Sequence, residues 1–370
     1  MIWGRSARVT AVLASSAVLV AAIGTFRIAS NHGQRVKLTA PPEQPIVTTE
    51  APTTTASTEA PTTEAPTTAP PPPTTAAPTT APPTTAKPRP VVKAVPKVTV
   101  PAVPSAAAFH GLGTWIDVYD WTATYTNNNP QISEADIDHM AQVGVQTLYV
   151  QASRADNPDD VMEPERLRPL IDRAHAKGMR VVAWYLPTLE DPAHDLARML
   201  AMAKLPVEGL GVDIEARNVS DVNDRNQRLI ALSADLRKAL PKLAIAAIVL
   251  PPVVLEVVNT NYWPNFPWKA IAGSYDLWMP MTYWTNRTQS SGYRDAYRYT
   301  SENISRMRTD LGLPNAVVHP IGGIGDKTTA ADDDAYLKAA SEAHAVGGSI
   351  YDWRTTAPDT WSHLQGFHAP

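Results

Sequence analysis

The sequence predicts an α/β protein: a (β/α)8 TIM barrel preceded by an N-terminal membrane-anchor or signal helix and a disordered Pro/Thr-rich stalk. Three observations carry this prediction. Eight apolar runs alternate with helical patterns after about residue 106, a span of roughly 265 residues that suits the ~250 of a single barrel. All twelve Tyr and nine of the ten Trp lie after Ala108, so the material for a core is confined to that span. The apolar runs are nearly continuous rather than alternating, as parallel strands covered by helices must be.

In chain order, LGTWIDVYDW from Leu112 reads as the first strand, and Ser133 with Asp136 opens a helix with a capping-box pattern. VQTLYVQAS from Val145 is the second strand, and its helix runs from Pro164 to a C-cap glycine at Gly178. MRVVAWYLP from Met179 is the third, followed by a helical DPAHDLARMLAMAK. GLGVDIEA from Gly209 is the fourth, before a long helix from Asn223 to Leu240. LAIAAIVLP from Leu243 is the fifth, with only a short helical turn near Trp268. YDLWMPMTYW from Tyr275 is the sixth, with a helix from Tyr293 to Asp310. AVVHPIGG from Ala316 is the seventh, with a helix from Thr329 to Val346, and GGSIYDW from Gly347 is the eighth, with a last short helix around Trp361. Eight such units point to a closed barrel, and no Gly-rich phosphate loop follows the first strand to suggest dinucleotide binding.

The chain divides into residues 1–30, 31–105 and 106–370. Residues 9–26 form an uncharged run between Arg8 and Arg27, read as an uncleaved signal anchor or a cleaved signal peptide; either exports the rest. From Pro41 to Pro90 there are 15 Pro and 16 Thr, with no aromatic, Leu or Gly, so this stretch has too little apolar surface to offset the entropy of ordering. The domain after residue 105 carries 23 Lys and Arg against 32 Asp and Glu, a net charge of −9 that disfavours nucleic acid. There is no Cys, hence no disulfide framework. The nine His show no H-x-x-x-H or H-x-H spacing, and no G-x-S-x-G elbow is present, so neither a metal, another cofactor nor a serine nucleophile is expected. A monomer is expected.

Active sites of such barrels lie where strands end. Those ends supply Asp117, Asp120, Trp121, Gln151, Arg154, Trp184, Tyr185, Asp213, Glu215, Met281, Tyr283, Trp284, Tyr351, Asp352 and Trp353. Asp213 and Glu215 are two apart and share a strand face. Paired carboxylates repel, which raises one pKa and keeps an acid protonated near neutral pH, as glycosidic cleavage requires. The competing reading is a structural pair tied to Arg154 or Arg217.

EGLGVDIE resembles the fourth-strand signature of family 18 glycoside hydrolases, the chitinase-like barrels, roughly D-G-x-D-x-D-x-E. Glu215 falls on the proton-donating Glu, Asp213 on its neighbouring Asp and Glu208 on the first Asp. MPMTYW resembles the family's M-T-Y-D segment and places Tyr283 on the active-site Tyr, while Trp353 matches the Trp that floors the cleavage subsite. Two departures stand out: Gly211 replaces the middle Asp, and Trp284 follows the Tyr where Asp is usual. TWIDVYDW also resembles the first strand of family 25 lysozymes, which would add Asp117 to the site.

These resemblances imply a substrate with N-acetyl groups, peptidoglycan or chitin-like. Glu215 would be general acid, Asp213 would hold the substrate's acetamide N–H, and Tyr283 its carbonyl. Asp117, Trp121, Gln151, Trp184, Met281, Trp284 and Trp353 would bind the sugar. The alternative from another class is a glycan- or protein-binding barrel whose catalytic strand has degraded at Gly211.

Overall fold

The computed structural model describes residues 106–367. The expected signal anchor (1–30) and stalk (31–105) lie outside the described residues. Among the described residues no helix is long and apolar enough to cross a membrane.

The eight strands form at the eight apolar runs: β1 (Gly111–Ile116), β2 (Thr147–Gln151), β3 (Arg180–Tyr185), β4 (Gly209–Ile214), β5 (Ala244–Val249), β6 (Leu277–Pro280), β7 (Ile321–Ile324) and β8 (Gly347–Tyr351). They pair in parallel in the order β6-β5-β4-β3-β2-β1-β8-β7. Parallel bridges Trp278↔Val318 and Met281↔Ile321 join the two ends, so the sheet closes on itself and leaves no long free edge. Every residue of β1, β4 and β5 is buried, which explains why these runs lack alternation.

The helices follow as α1 (Val118–Trp121), α2 (Glu134–Gln142), α3 (Pro164–Ala176), α4 (Pro192–Met202), α5 (Val222–Ala239), α6 (Trp268–Ile271), α7 (Ala296–Leu311), α8 (Ala330–Glu342) and α9 (Thr360–Leu364). Side-chain caps start them where the sequence offers short acceptors. Ser133 and Asp136 form the capping box of α2, Thr329 and Asp332 that of α8, and Asp221 accepts from the Asp224 amide at 2.8 Å.

Boundaries differ where a side chain redirects the backbone. The first strand stops at Ile116, because Asp117 caps α1 by accepting from the Tyr119 amide at 2.8 Å. The sixth strand stops at Pro280, so Tyr283 stands on a turn beyond it. The seventh begins only at Ile321, with Val318 in an isolated bridge.

The barrel interior is aromatic and crowded. Trp115 and Tyr149 stack with centroids 4.3 Å apart, and Trp184 meets Trp115 edge-on at 6.0 Å. A Cβ on Gly113 would lie 2.4 Å from the Tyr149 ring, so only glycine leaves room for that stack. At the closed end, His319 Nδ1 is 2.7 Å from the Phe109 carbonyl. Burial pushes this imidazole down to about 3, so it is neutral and its Nδ1–H donates.

Candidate active site

Asp213 lies next to last in β4, and Glu215 follows the strand end. Val212 and Ile214 are buried under the helices, which leaves the two acids on the barrel side. Asp213 is 7 % exposed, and its Oδ1 is buried without a hydrogen-bond partner. Burial, reinforced by the Glu215 charge, holds its carboxyl well above the usual range, and burial pushes Glu215 up to about 7.

Neither acid forms an ion pair among the described residues. Arg154 donates to Asp156 at 2.6 Å and to the Tyr119 hydroxyl at 2.8 Å, and the Arg217 guanidinium sits 4.6 Å from the centre of the Tyr262 ring. The structural ion-pair reading is therefore not what the fold builds. Half-buried Glu215, beside buried Asp213 and without a counter-charge among the described residues, keeps its proton up to about pH 7, and a proton donor needs that property.

Tyr283 stands in the turn after β6, within the electrostatic influence of this pair. Burial and then the Asp213 and Glu215 charges push its phenol well above its ordinary value. Its ring lies 6.3 Å from that of Tyr351, whose hydroxyl donates to Asp117 Oδ2 at 2.8 Å. Asp117 is thus a cap for α1 and the acceptor for Tyr351. Gln151, also buried, accepts from the Val118 amide at 3.2 Å and orients the same turn. Trp184 is buried against Trp115, with its indole Nε1 unpartnered. Met281 is buried in the bridge to Ile321.

Three expected sugar-binding tryptophans turn away from the acids. Trp121 is fully buried and donates to the Gln151 carbonyl at 3.2 Å, fixing the turn after β1. Trp284 is fully buried beneath α8, 5.2 Å from Tyr336, because the chain turns directly after Tyr283. Trp353 packs against His139 and Trp361 and lines a hollow of about 290 Å³ between α2 and α9. The strand-eight aromatic beside the site is Tyr351, two residues earlier, which the strand's alternation directs inward.

Tyr262 was not singled out from sequence. It sits in the loop after β5, its hydroxyl 3.5 Å from the Glu215 carbonyl, with both acids raising its pKa after burial. The aromatic-rich NYWPNFPW segment was its available signal.

Asp117, Asp120 and Asp352 also cluster, with oxygens within 4.8 Å of one another. Each is engaged: Asp117 as above, Asp120 by the Asp117 amide and Arg354, and Asp352 by Thr355. The cluster fastens the turn after β1 to the end of β8.

No family model matches the chain, and no curated protein sequence matches it. Solved structures do. The Bacillus cereus spore cortex-lytic enzyme SleL matches with a TM-score of 0.53 at 10% identity, over 70% of this chain and 75% of that one. The GH18 chitinase of Cycas revoluta, solved with (GlcNAc)3, matches with a TM-score of 0.51 at 11% identity, over 70% and 98%. A class V chitinase from Pseudomonas fluorescens Pf-5 gives 0.51 at 10%, over 70% and 99%. At these identities the likeness is one of fold: the chain is built as a (β/α)8 barrel like those of chitinases and a cortex-lytic enzyme.

Proposed function

We propose that the protein is a glycoside hydrolase acting on N-acetylated glycans, with Glu215 as general acid. The carrying observation is the pair of buried Asp213 and half-buried Glu215, which lacks a cationic partner among the described residues and whose carboxyls are both held above the usual range. The barrel likeness to chitinases and a cortex-lytic enzyme supports the same substrate class.

Asp213 Oδ1 is an open buried acceptor. A substrate acetamide N–H placed there favours ionised Asp213 and leaves the pair's proton with Glu215. Glu215 then protonates the glycosidic oxygen while the acetamide carbonyl oxygen attacks the anomeric carbon, breaking the C–O bond; water later opens the cyclic intermediate. Asp213 stabilises the positive charge developing on the acetamide, and Tyr283 donates to its carbonyl oxygen. The uncharged run at residues 9–26 and the Pro/Thr-rich stretch support export and a tether at the membrane.

The test is reducing-end release by the full chain from chitooligosaccharides and from peptidoglycan, beside Glu215→Gln. Turnover that vanishes in the variant is expected; a variant with full rate sinks the assignment.

One observation favours a second reading, a glycan-binding barrel without turnover: the position of Gly211 is closed by hydrocarbon from Ile248 and Trp184, leaving Asp213 without a relay acid. Binding of both glycans without turnover by the wild type would select it.

A further inference from the structure

The loop after Glu215 carries a cationic group that plays no part in the proposed acid catalysis. Arg217, two residues after Glu215, is exposed, and among the described residues its guanidinium makes no hydrogen bond or ion pair beyond the face contact with Tyr262 at 4.6 Å. Arg225, at the start of α5, is 2 % exposed. Its guanidinium lies 4.3 Å from the centre of the Trp263 ring, and Nη1 donates to the Val219 carbonyl at 3.2 Å. Its Nε is buried with no hydrogen-bond partner among the described residues. The two cations feel each other, since Arg217 adds to burial in lowering the Arg225 pKa.

Like charges held together without a counter-ion are costly, and a buried donor left unpartnered is costlier still. Neighbouring acids do not supply the missing charge. Asp221 caps α5, Asp224 pairs with Arg228 at 2.9 Å, and Glu190 accepts from Asn218 at 3.0 Å. The group is also held in place rather than left loose. Asn226 Oδ1 accepts from the Trp263 indole at 2.7 Å, fixing the ring on which Arg225 lies, and Tyr262 is buried beneath Arg217. An exposed guanidinium seated on a buried ring, with no counter-charge among the described residues, is what a carboxylate recognises through charge-assisted hydrogen bonds.

We propose that Arg217, backed by the buried charge of Arg225, forms an anion-binding subsite next to Glu215. It selects glycans whose N-acetylated sugars carry carboxylates, as the muramyl residues of peptidoglycan do, over uncharged chitin. The proposal rests on the glycan reading above and deepens it to a substrate class.

The test uses glycan strands from peptidoglycan stripped of their peptides, with lactyl carboxylates either free or amidated. Affinity for the full chain is read by tryptophan fluorescence, with reducing-end release followed in parallel. Wild type binds the free-acid strands about tenfold more tightly, and Arg217→Gln, an exposed position whose thermal midpoint serves as the folding control, brings the two forms within about twofold. Equal affinity in the wild type, a preference that survives Arg217→Gln, or binding of neither form overturns the subsite. An acid preference without hydrolysis overturns only the hydrolase reading, and hydrolysis without an acid preference overturns only the subsite.

Discussion

Gly211 and Ile248 share one space in the barrel: a Cβ built on the glycine would lie 2.8 Å from Ile248 Cδ1, with Trp184 Cβ at 3.1 Å on its other side. The position of Gly211, two residues before Asp213 on the same face of β4, is therefore not an open space. The neighbouring strands have filled the volume, so the strand accepts no side chain there without movement.

This predicts a specific coupling. Gly211→Ala overpacks the barrel and costs about 1–3 kcal/mol of stability. Ile248→Val, which removes the offending methyl, costs about 0.5–1.5 kcal/mol alone. Combined, they cost less than the sum by roughly 0.5 kcal/mol or more. Denaturant unfolding of the four proteins checks this, and strict additivity contradicts the packing account.

Asp213→Asn should lower kcat by about 10²–10⁴-fold while leaving the fold intact, because it removes the charge that stabilises the acetamide. The thermal midpoint should hold or rise, since the amide removes a buried, unpartnered acid. A large loss of stability would instead make Asp213 a structural residue.

The pH dependence has a fixed sign. With Glu215 pushed up to about 7, kcat/KM should fall about tenfold per pH unit above that value as the general acid ionises. Stability moves the same way: the folded form keeps a proton that the unfolded chain releases near 4.5, so stability is lost as pH rises from about 4.5 to about 7. Asp310 and Asp333 are likewise pushed up to about 7, so the Glu215 share is read as the difference between wild type and Glu215→Gln across that window. A difference that stays constant with pH refutes it.

Asp117 should prove a positioning residue. Asp117→Ala removes the α1 cap and the acceptor for Tyr351, at a cost of about 1–3 kcal/mol. Tyr351→Phe, which removes the hydrogen bond to Asp117 and leaves the α1 cap in place, costs about 0.5–1.5 kcal/mol. Denaturation midpoints give the order; a larger loss in Tyr351→Phe reverses the argument.

The elements and the acid pair were legible because both are local. Period-two alternation within GLGVDIEA puts Asp213 and Glu215 on one face whatever surrounds them. Caps such as Ser133 and Asp221 work within one turn, so residue identity locates them. The aromatic lining was legible only as a supply of rings near strand ends. Trp284 and Trp353 belong to that supply, yet the turn after Tyr283 sends one beneath α8, and packing with Trp361 holds the other between helices.

The sequence by itself therefore determined the alternation, the barrel and the side-by-side acids, because hydrophobic periodicity and hydrogen-bonding ladders act over a few residues. Only the tertiary structure decided that Tyr262 stands beside Glu215, that Tyr351 meets Asp117, that Arg217 and Arg225 lack counter-charges among the described residues, and that Ile248 closes the space at Gly211. Those outcomes depend on volumes and charges from strands and loops far apart in the chain, and they become definite only when the barrel closes and each space admits one occupant.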